Sequence, residues 1–363
     1  MKEKVLRIAI NGFGRIGRCV FRILADREDL KVVAINDIAD DEPLAYLLKY
    51  DTVMGRFHHE VKLEENSLQA GTQHSRLLKV HHPKNLPWKE LGVDVVVEAT
   101  GRFRRTKQLR EHLQAGAEKV LLTVPAKDEV DVTVVLGAND ADLKTDHQII
   151  SNASCTTNCL APLVKVLDDE FGLVKGLMTT VHAYTNDQRL SDWYHDDLRR
   201  SRAAGENTIP TTTGAARSVG KVLPKLKGRL DGMAVRVPVV NGSIVDLVAE
   251  LRQIVTGEQV NAAMKHAAEG SLKGILEYSE EALVSSDILG NPHSCIFDSL
   301  LTEVVSGNTV KIFAWYDNEW GYSNRVVDLL TRLAHFQGGQ PAQDKRVRSR
   351  VSPRNRGPKR QPQ

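Results

Sequence analysis

The chain runs to 363 residues, more than one ordinary core accommodates and enough for two domains of roughly 150 residues each. With 41% hydrophobic and 26% charged residues it is neither collagenous nor wholly disordered, and no stretch approaches the roughly 18 consecutive apolar residues of a membrane span. Net charge is +3, but eight basic residues and no acidic one crowd into 345–363, which leaves residues 1–344 at −5.

The start, Met1-Lys2-Glu3-Lys4-Val5-Leu6, enters a strand-like run with no long h-region or cleavage site, so a cytoplasmic location is expected. Residues 5–10 make a short continuous apolar run, the pattern of a buried parallel strand, and 15–26 carry Ile16, Val20, Ile23 and Leu24 on one helical face. Further strands are expected at 31–35, 93–98, 120–124, 132–136 and 148–150. Such alternation implies a doubly wound parallel α/β sheet, because parallel strands need crossovers. After residue 150 a helix signal at 160–171 leads into longer strands at 177–183, 232–240, 245–251 and 310–315. Few crossovers separate these, which predicts a second α+β domain with a mixed or antiparallel sheet. A helix at 323–335 closes the body. The segment 338–363 lacks the apolar residues to order itself and reads as a disordered basic tail.

Asn11-Gly12-Phe13-Gly14-Arg15-Ile16-Gly17 places G-x-G-x-x-G after a predicted strand and at the start of a predicted helix. Gly12 allows the tight turn, Gly14 lets backbone approach a pyrophosphate, and Gly17 permits close helix–strand packing, with the helix N-terminus attracting the anion. The next strand ends at Asn36-Asp37, where a carboxylate accepts hydrogen bonds from ribose hydroxyls and repels a 2′-phosphate. This Rossmann-type pattern predicts NAD rather than NADP. The competing reading is a glycine turn that binds nothing, with Asp37 a loop or capping residue.

Four cysteines in so long a chain do not make a disulfide framework, and no zinc spacing appears, so a special cysteine here is expected to be a reactive thiol. Ser151-Asn152-Ala153-Ser154-Cys155-Thr156-Thr157-Asn158-Cys159 puts Cys155 at a helix N-terminus, whose field favours a thiolate over a thiol. Cys159, one turn further on, reads as a packed thiol. A nucleophilic cysteine needs a base, and His182 ends a predicted strand, where a loop could bring it near Cys155; the competing reading is a structural cysteine before a helix and a satisfied surface or core histidine.

At NGFGRIG (11–17), SNASCTTNCLAP (151–162), HAYTNDQ (182–188), PTTTGAA (210–216) and WYDNEWGYSNR (315–325) the sequence closely resembles phosphorylating glyceraldehyde-3-phosphate dehydrogenases, over roughly residues 4–336. The resemblance implies that Cys155 attacks the aldehyde of glyceraldehyde 3-phosphate, that His182 is the general base, and that inorganic phosphate cleaves the resulting thioester to give 1,3-bisphosphoglycerate. It implies Thr185 and Arg236 on the substrate phosphate, and Ser154, Thr156, Arg200, Thr213 and Gly214 on the attacking phosphate. Asn318 matches the residue that orients the nicotinamide carboxamide, and Arg15, Ile16 and Thr123 match other NAD contacts. The implied organisation is an NAD-binding domain over 1–154, rejoined by a helix over 321–336, and a catalytic domain over 155–320, in a homotetramer.

Three features depart from the family pattern. His81 stands where many relatives place an arginine near the adenine, Trp193-Tyr194 replaces a Leu-Pro pair in the loop before Leu198-Arg199-Arg200, and the tail has no counterpart. NAD selectivity then rests mainly on Asp37. The nearest alternative activity is that of erythrose-4-phosphate dehydrogenase, against which Tyr184-Thr185-Asn186 and Thr211-Thr212-Thr213-Gly214 argue; aspartate-semialdehyde dehydrogenase fits the phosphate-site blocks poorly. For the tail, the alternative to a solubilising segment is a nucleic-acid or acidic partner, though it carries no aromatic residue for base stacking.

Overall fold

Short apolar runs covered on both faces assemble into one sheet in the first half of the chain. In the computed structural model, which describes residues 5–337, this sheet has nine strands. They are β1 (Leu6–Asn11), β2 (Leu30–Asn36), β3 (Lys62–Glu64), β4 (Ser67–Ala70), β5 (Gln73–Leu78), β6 (Val95–Glu98), β7 (Lys119–Leu122), β8 (Val132–Thr133) and β9 (Ile149–Ser151), in the order β3-β4-β5-β2-β1-β6-β7-β9-β8. The crossovers carry α1 (Arg15–Leu24), α2 (Asp41–Lys49) and α3 (Thr106–Gln114). Strand β1 is central, with β2 on one side and β6 on the other, and Asn11 stands in register with both Asn36 and Glu98. The strand order reverses at β1, which opens a crevice at the carboxyl ends of these strands.

The sequence reading did not anticipate the antiparallel edge β3-β4-β5, whose strands are short, β3 exposed throughout and β4 and β5 alternating in burial, rather than forming apolar runs. Nor did it anticipate α2 and α3. The strand expected at 132–136 stops at Thr133. There Asn139 takes over the backbone, accepting from Val135 N–H and donating to Thr133 C=O, so a side chain replaces a strand neighbour.

The second sheet has seven strands in the order β11-β12-β10-β13-β16-β15-β14: β10 (Leu173–Ala183), β11 (Ile209–Thr212), β12 (Leu230–Val237), β13 (Ser243–Leu251), β14 (Leu276–Ser279), β15 (Cys295–Val305) and β16 (Thr309–Tyr316). It is mixed, as the pattern predicted: β10 runs parallel to β12 and antiparallel to β13. Helices α4 (Cys155–Phe171), α5 (Ala215–Val222) and α6 (Gly257–Glu269) cover one face. The other face shows Leu177, Met233, Val248 and Leu300 to solvent in this single chain. Finally α7 (Trp320–Gln337) returns to pack against α1. The tail expected to be disordered, 338–363, lies outside the described residues.

Candidate active site

The helix carrying Cys155 starts five residues earlier than its apolar periodicity indicates, because Ser154 caps it. The Ser154 hydroxyl accepts from Thr157 N–H at 3.1 Å and lies 2.7 Å from Thr157 Oγ1. Ala153, immediately before the cap, sits at φ +52°, a left-handed conformation that costs a non-glycine residue about 1 kcal/mol or more. Strained backbone between β9 and α4 thus presents Cys155, half-buried, at the first turn of a 17-residue helix.

His182 arrives from β10, and its Nε2 lies 3.5 Å from Cys155 Sγ. The parallel register of β10 and β12 sets Arg236 directly beside His182. Arg236 Nη1 lies 2.5 Å from His182 Nδ1 and donates to Ala183 C=O at 2.8 Å, while Nδ1 is also 2.7 Å from that carbonyl. Arginine can only donate, so when it faces Nδ1 the ring proton sits on Nε2; when Nδ1–H turns to the carbonyl, Nε2 is a bare acceptor facing sulfur. Tyr316, unsuspected from sequence, packs edge-on to His182 at 5.8 Å, and its hydroxyl lies 2.8 Å from both Thr156 Oγ1 and Thr180 Oγ1.

The electrostatics correct one expectation. Burial pushes the Cys155 thiol above its ordinary 9.0, and the Arg236 charge, Thr156 and the local backbone N–H groups offset this only in part. The helix terminus alone does not make a resting thiolate, because desolvating the anion costs more than the dipole returns. Burial, then Arg236, drives His182 down to about 3, so the imidazole is neutral near pH 7. The resting pair is therefore a neutral thiol beside a neutral imidazole. Cys159 is fully buried, with its thiol raised well above 9.0 by burial, as expected of a packed residue.

Three further segments carry the other anion-site candidates. Thr157 Oγ1 donates to Ala215 C=O, which brings the first turn of α4 to the start of α5, where Gly214 is the cap and Thr213 Oγ1 accepts from Ala215 N–H. Arg200 reaches β11 through Thr211 Oγ1 at 2.8 Å, and β11 is paired with β12 at Arg236. Its guanidinium is not bare: Asp187 holds it at 2.5 Å and Asp197 at 3.5 Å. Thr185 is exposed, its N–H donating to Gln188 Oε1 at 3.3 Å.

At the crevice of the first sheet, the glycines separate by role. A Cβ on Gly12, at φ +95°, would lie 2.6 Å from Thr100 N, and one on Gly17 would lie 2.2 Å from Gly12 O. A Cβ on Gly14 would meet nothing within 4 Å. Gly12 and Gly17 are thus required by the fold, whereas the space over Gly14 suits a ligand pressed against backbone. Gly14 caps α1 without a side chain, so the first-turn N–H groups at Arg15, Ile16 and Gly17 suit a pyrophosphate. Asp37 accepts from Phe13 N–H at 2.7 Å and from Ala39 N–H at 3.0 Å, so it braces the glycine loop. Thr123 is buried against Glu98 C=O, and His81 is exposed at the crevice side of β5. Asn318 Oδ1 accepts from Gly242 N–H and Ser243 Oγ, which fixes its amide so that the nitrogen is the group turned to a carboxamide. These residues fit an NAD.

Two supports were not found from sequence. Arg15, expected to contact cofactor, is clamped by Asp51 and by Glu319 of the segment before α7, at 2.8 and 2.5 Å to the two Glu319 oxygens. Behind the glycine loop, buried Glu98 accepts from Asn11 Nδ2 at 2.6 Å, from Thr100 N–H at 2.9 Å and from His112 Nε2 at 3.1 Å. Trp88 Nε1–H donates to His112 Nδ1 at 3.0 Å, which assigns the imidazole proton to Nε2. The signal for such a network was an acidic residue ending an apolar strand, Val95-Val96-Val97-Glu98.

Comparison with known proteins agrees with this geometry. Residues 6–106 match the family model described as the glyceraldehyde 3-phosphate dehydrogenase NAD binding domain, and 154–318 match that of its C-terminal domain. The chain is 58% identical to a glyceraldehyde-3-phosphate dehydrogenase of Streptomyces coelicolor, over 92% of this chain and 99% of that one. It is 57% identical to that of Mycobacterium avium, over 90% and 97%, and 56% identical to that of Geobacillus stearothermophilus, over 91% and 98%.

Proposed function

The chain belongs to the glyceraldehyde 3-phosphate dehydrogenase family, and from that premise we propose how its residues divide the work. It is an NAD-dependent oxidoreductase acting on glyceraldehyde 3-phosphate in glycolysis, and nothing favours the erythrose 4-phosphate alternative. NAD, when bound, supplies the acceptor for a hydride.

Cys155 Sγ adds to the aldehyde carbon while His182 Nε2 takes the thiol proton, which it returns to the new oxygen. His182 then removes that hydroxyl proton as the adduct is oxidised to a thioester on Cys155. Inorganic phosphate attacks the thioester carbon, expelling Cys155 as a thiol and releasing the acyl phosphate. The single observation that carries this reading is the 3.5 Å approach of a thiol to a neutral imidazole at the mouth of α4. Arg236 and Thr185 hold the substrate phosphate. Once engaged there, the Arg236 guanidinium leaves Nδ1 to Ala183 C=O, which makes Nε2 the base. Ser154, Thr156, Arg200, Thr213 and Gly214 hold the attacking phosphate, and their support is the meeting of two helix N-termini at Thr157 and Ala215. Gly12, Gly14, Arg15, Ile16, Gly17, Asp37, His81, Thr123 and Asn318 form the cofactor site.

We divide the chain into an NAD-binding domain over 1–154, rejoined by the helix over 321–336, and a catalytic domain over 155–320. A homotetramer is supported by the apolar face of the second sheet, where Leu177 stands in register with Val248, a combination disfavoured in water. No helix among the described residues is long and apolar enough to cross a membrane.

The test is NADH formation by the purified chain from glyceraldehyde 3-phosphate, with NAD or NADP, and with or without phosphate. Turnover requires phosphate and prefers NAD, and intact-mass analysis of enzyme deprived of phosphate shows an acyl adduct on Cys155. Phosphate-independent steady turnover, or an adduct absent in the native chain, refutes the assignment.

A further inference from the structure

At the end of α1 remote from the glycine loop, three side chains of metal-ligating type converge. Asp26 follows α1, while His58 and His59 lie in the segment joining α2 to β3. His59 Nε2 is 2.7 Å from Asp26 Oδ1, and His58 Nε2 is 3.4 Å from Asp26 Oδ2. One ligand atom from each of the three residues lies within 4.8 Å of the others. Consecutive residues of an extended chain point to opposite sides. Here the chain bends at 58–59, and the two imidazole rings stand on the same side with centroids 4.0 Å apart.

The arrangement is built rather than incidental. Phe57 is buried and packs edge-on against both rings, at 5.1 Å from His58 and 5.4 Å from His59. Phe57 is itself held by the Arg22 guanidinium over its ring at 5.0 Å, and by its N–H donating to Lys49 C=O at 2.9 Å. The imidazoles are therefore pre-positioned from the protein side, and their nitrogens meet the carboxylate on the solvent side, where Asp26 and His58 are 49% and 63% exposed.

We propose that Asp26, His58 and His59 bind a first-row divalent transition ion of the Zn²⁺ class. A tetrahedral ion with bonds of about 2.0–2.1 Å sets its ligands roughly 3.4 Å apart. His58 Nε2 already stands at that distance from Asp26 Oδ2, whereas the 2.7 Å between His59 Nε2 and Asp26 Oδ1 must open by about 0.7 Å to admit the ion. Two imidazoles and one carboxylate select Zn²⁺, Ni²⁺ or Co²⁺ over Mg²⁺ and Ca²⁺, which take oxygen ligands. Water fills the fourth position. The ion staples the end of α1 to a segment 33 residues away in sequence. It lies beyond the ten residues of α1 from the glycine loop, about 15 Å of helix, so occupancy and turnover are separable.

The test uses the full chain without an affinity tag, its thiol at Cys155 alkylated with iodoacetamide so that the sulfur takes no metal. Calorimetric titration with Zn²⁺ gives one equivalent per chain. Ni²⁺ competes and millimolar Mg²⁺ does not. His58→Gln, His59→Gln and Asp26→Asn each weaken Zn²⁺ binding at least ten-fold, while the same variants, unalkylated, keep native NADH production and native circular dichroism. Absence of uptake at submillimolar Zn²⁺, or uptake equally tight in the three variants, overturns the proposal.

Discussion

Replacing His182 by glutamine removes the base and leaves the rest of the site in place. The Cys155 thiol sits above 9.0, so without an acceptor at 3.5 Å fewer than about 1% of molecules carry a thiolate at pH 7. General-base assistance contributes about 10²–10⁴-fold, or ~3–5 kcal/mol of barrier, and the thiolate fraction gives the same lower bound by a separate route. The expected loss is therefore at least about 100-fold in the rate of thioester formation. It is read as the single-turnover burst of NADH when enzyme exceeds substrate. Because hydroxide ion can substitute for the missing base, the variant's rate rises about ten-fold per pH unit toward pH 9. The wild type changes less, since an imidazole at about 3 stays neutral throughout. A burst within ten-fold of wild type at pH 7, or a deficit that does not shrink with pH, refutes the assignment of His182 as proton acceptor.

The same histidine shapes acid stability. It takes a proton near 6.5 when unfolded and only at about 3 when folded, so its contribution is whole above pH 6.5 and lost as pH falls toward 3. Between pH 6.5 and 4 the wild type is expected to lose about 3 kcal/mol more than His182→Gln, measured by urea unfolding; parallel curves would count against a buried neutral imidazole. Gly14→Ala is expected to leave the unfolding midpoint unchanged and raise the KM for NAD at least ten-fold, since its Cβ occupies empty space over the glycine loop. Gly12→Ala, whose Cβ would strike Thr100 backbone, is expected to lose both stability and NAD binding, and a normal midpoint would contradict the packing. Glu98→Ala strands the donors of Asn11, His112 and Thr100 N–H and is expected to cost about 3–5 kcal/mol in urea unfolding; a cost below ~1 kcal/mol would dissolve the network.

Legibility varied with how local each feature is. The strand, glycine turn and helix at 6–24 announce themselves because period, turn chemistry and helix packing all act within a few residues. The cap at Ser154 was equally near at hand, although the helix it starts reads as beginning at 160 if apolar spacing alone is followed. The two-residue β8 failed as a prediction for a related reason. Apolar character at Val134, Val135 and Leu136 reports burial, and Asn139 rather than a strand neighbour satisfies the backbone there.

The residues that tune the chemistry were less visible, since charge effects depend on distance and burial and not on separation along the chain. Arg236 stands beside His182 only because β10 and β12 run parallel in that register, 54 residues apart. Tyr316 reaches Thr156 across 160 residues. Glu319 reaches Arg15 across 304.

From the amino-acid order alone came the two-sheet α/β plan, the dinucleotide loop and the candidacy of Cys155 and His182, because period, turn chemistry and motif act over short range; that the two side chains meet is the work of the fold, which sets α4 against β10. Tertiary packing decided the protonation of that pair, a thiol and a neutral imidazole in place of the thiolate that a helix end by itself implies. The reason is desolvation: local sequence specifies the dipole at the mouth of α4, but only the assembled fold excludes the water that would otherwise stabilise the charge.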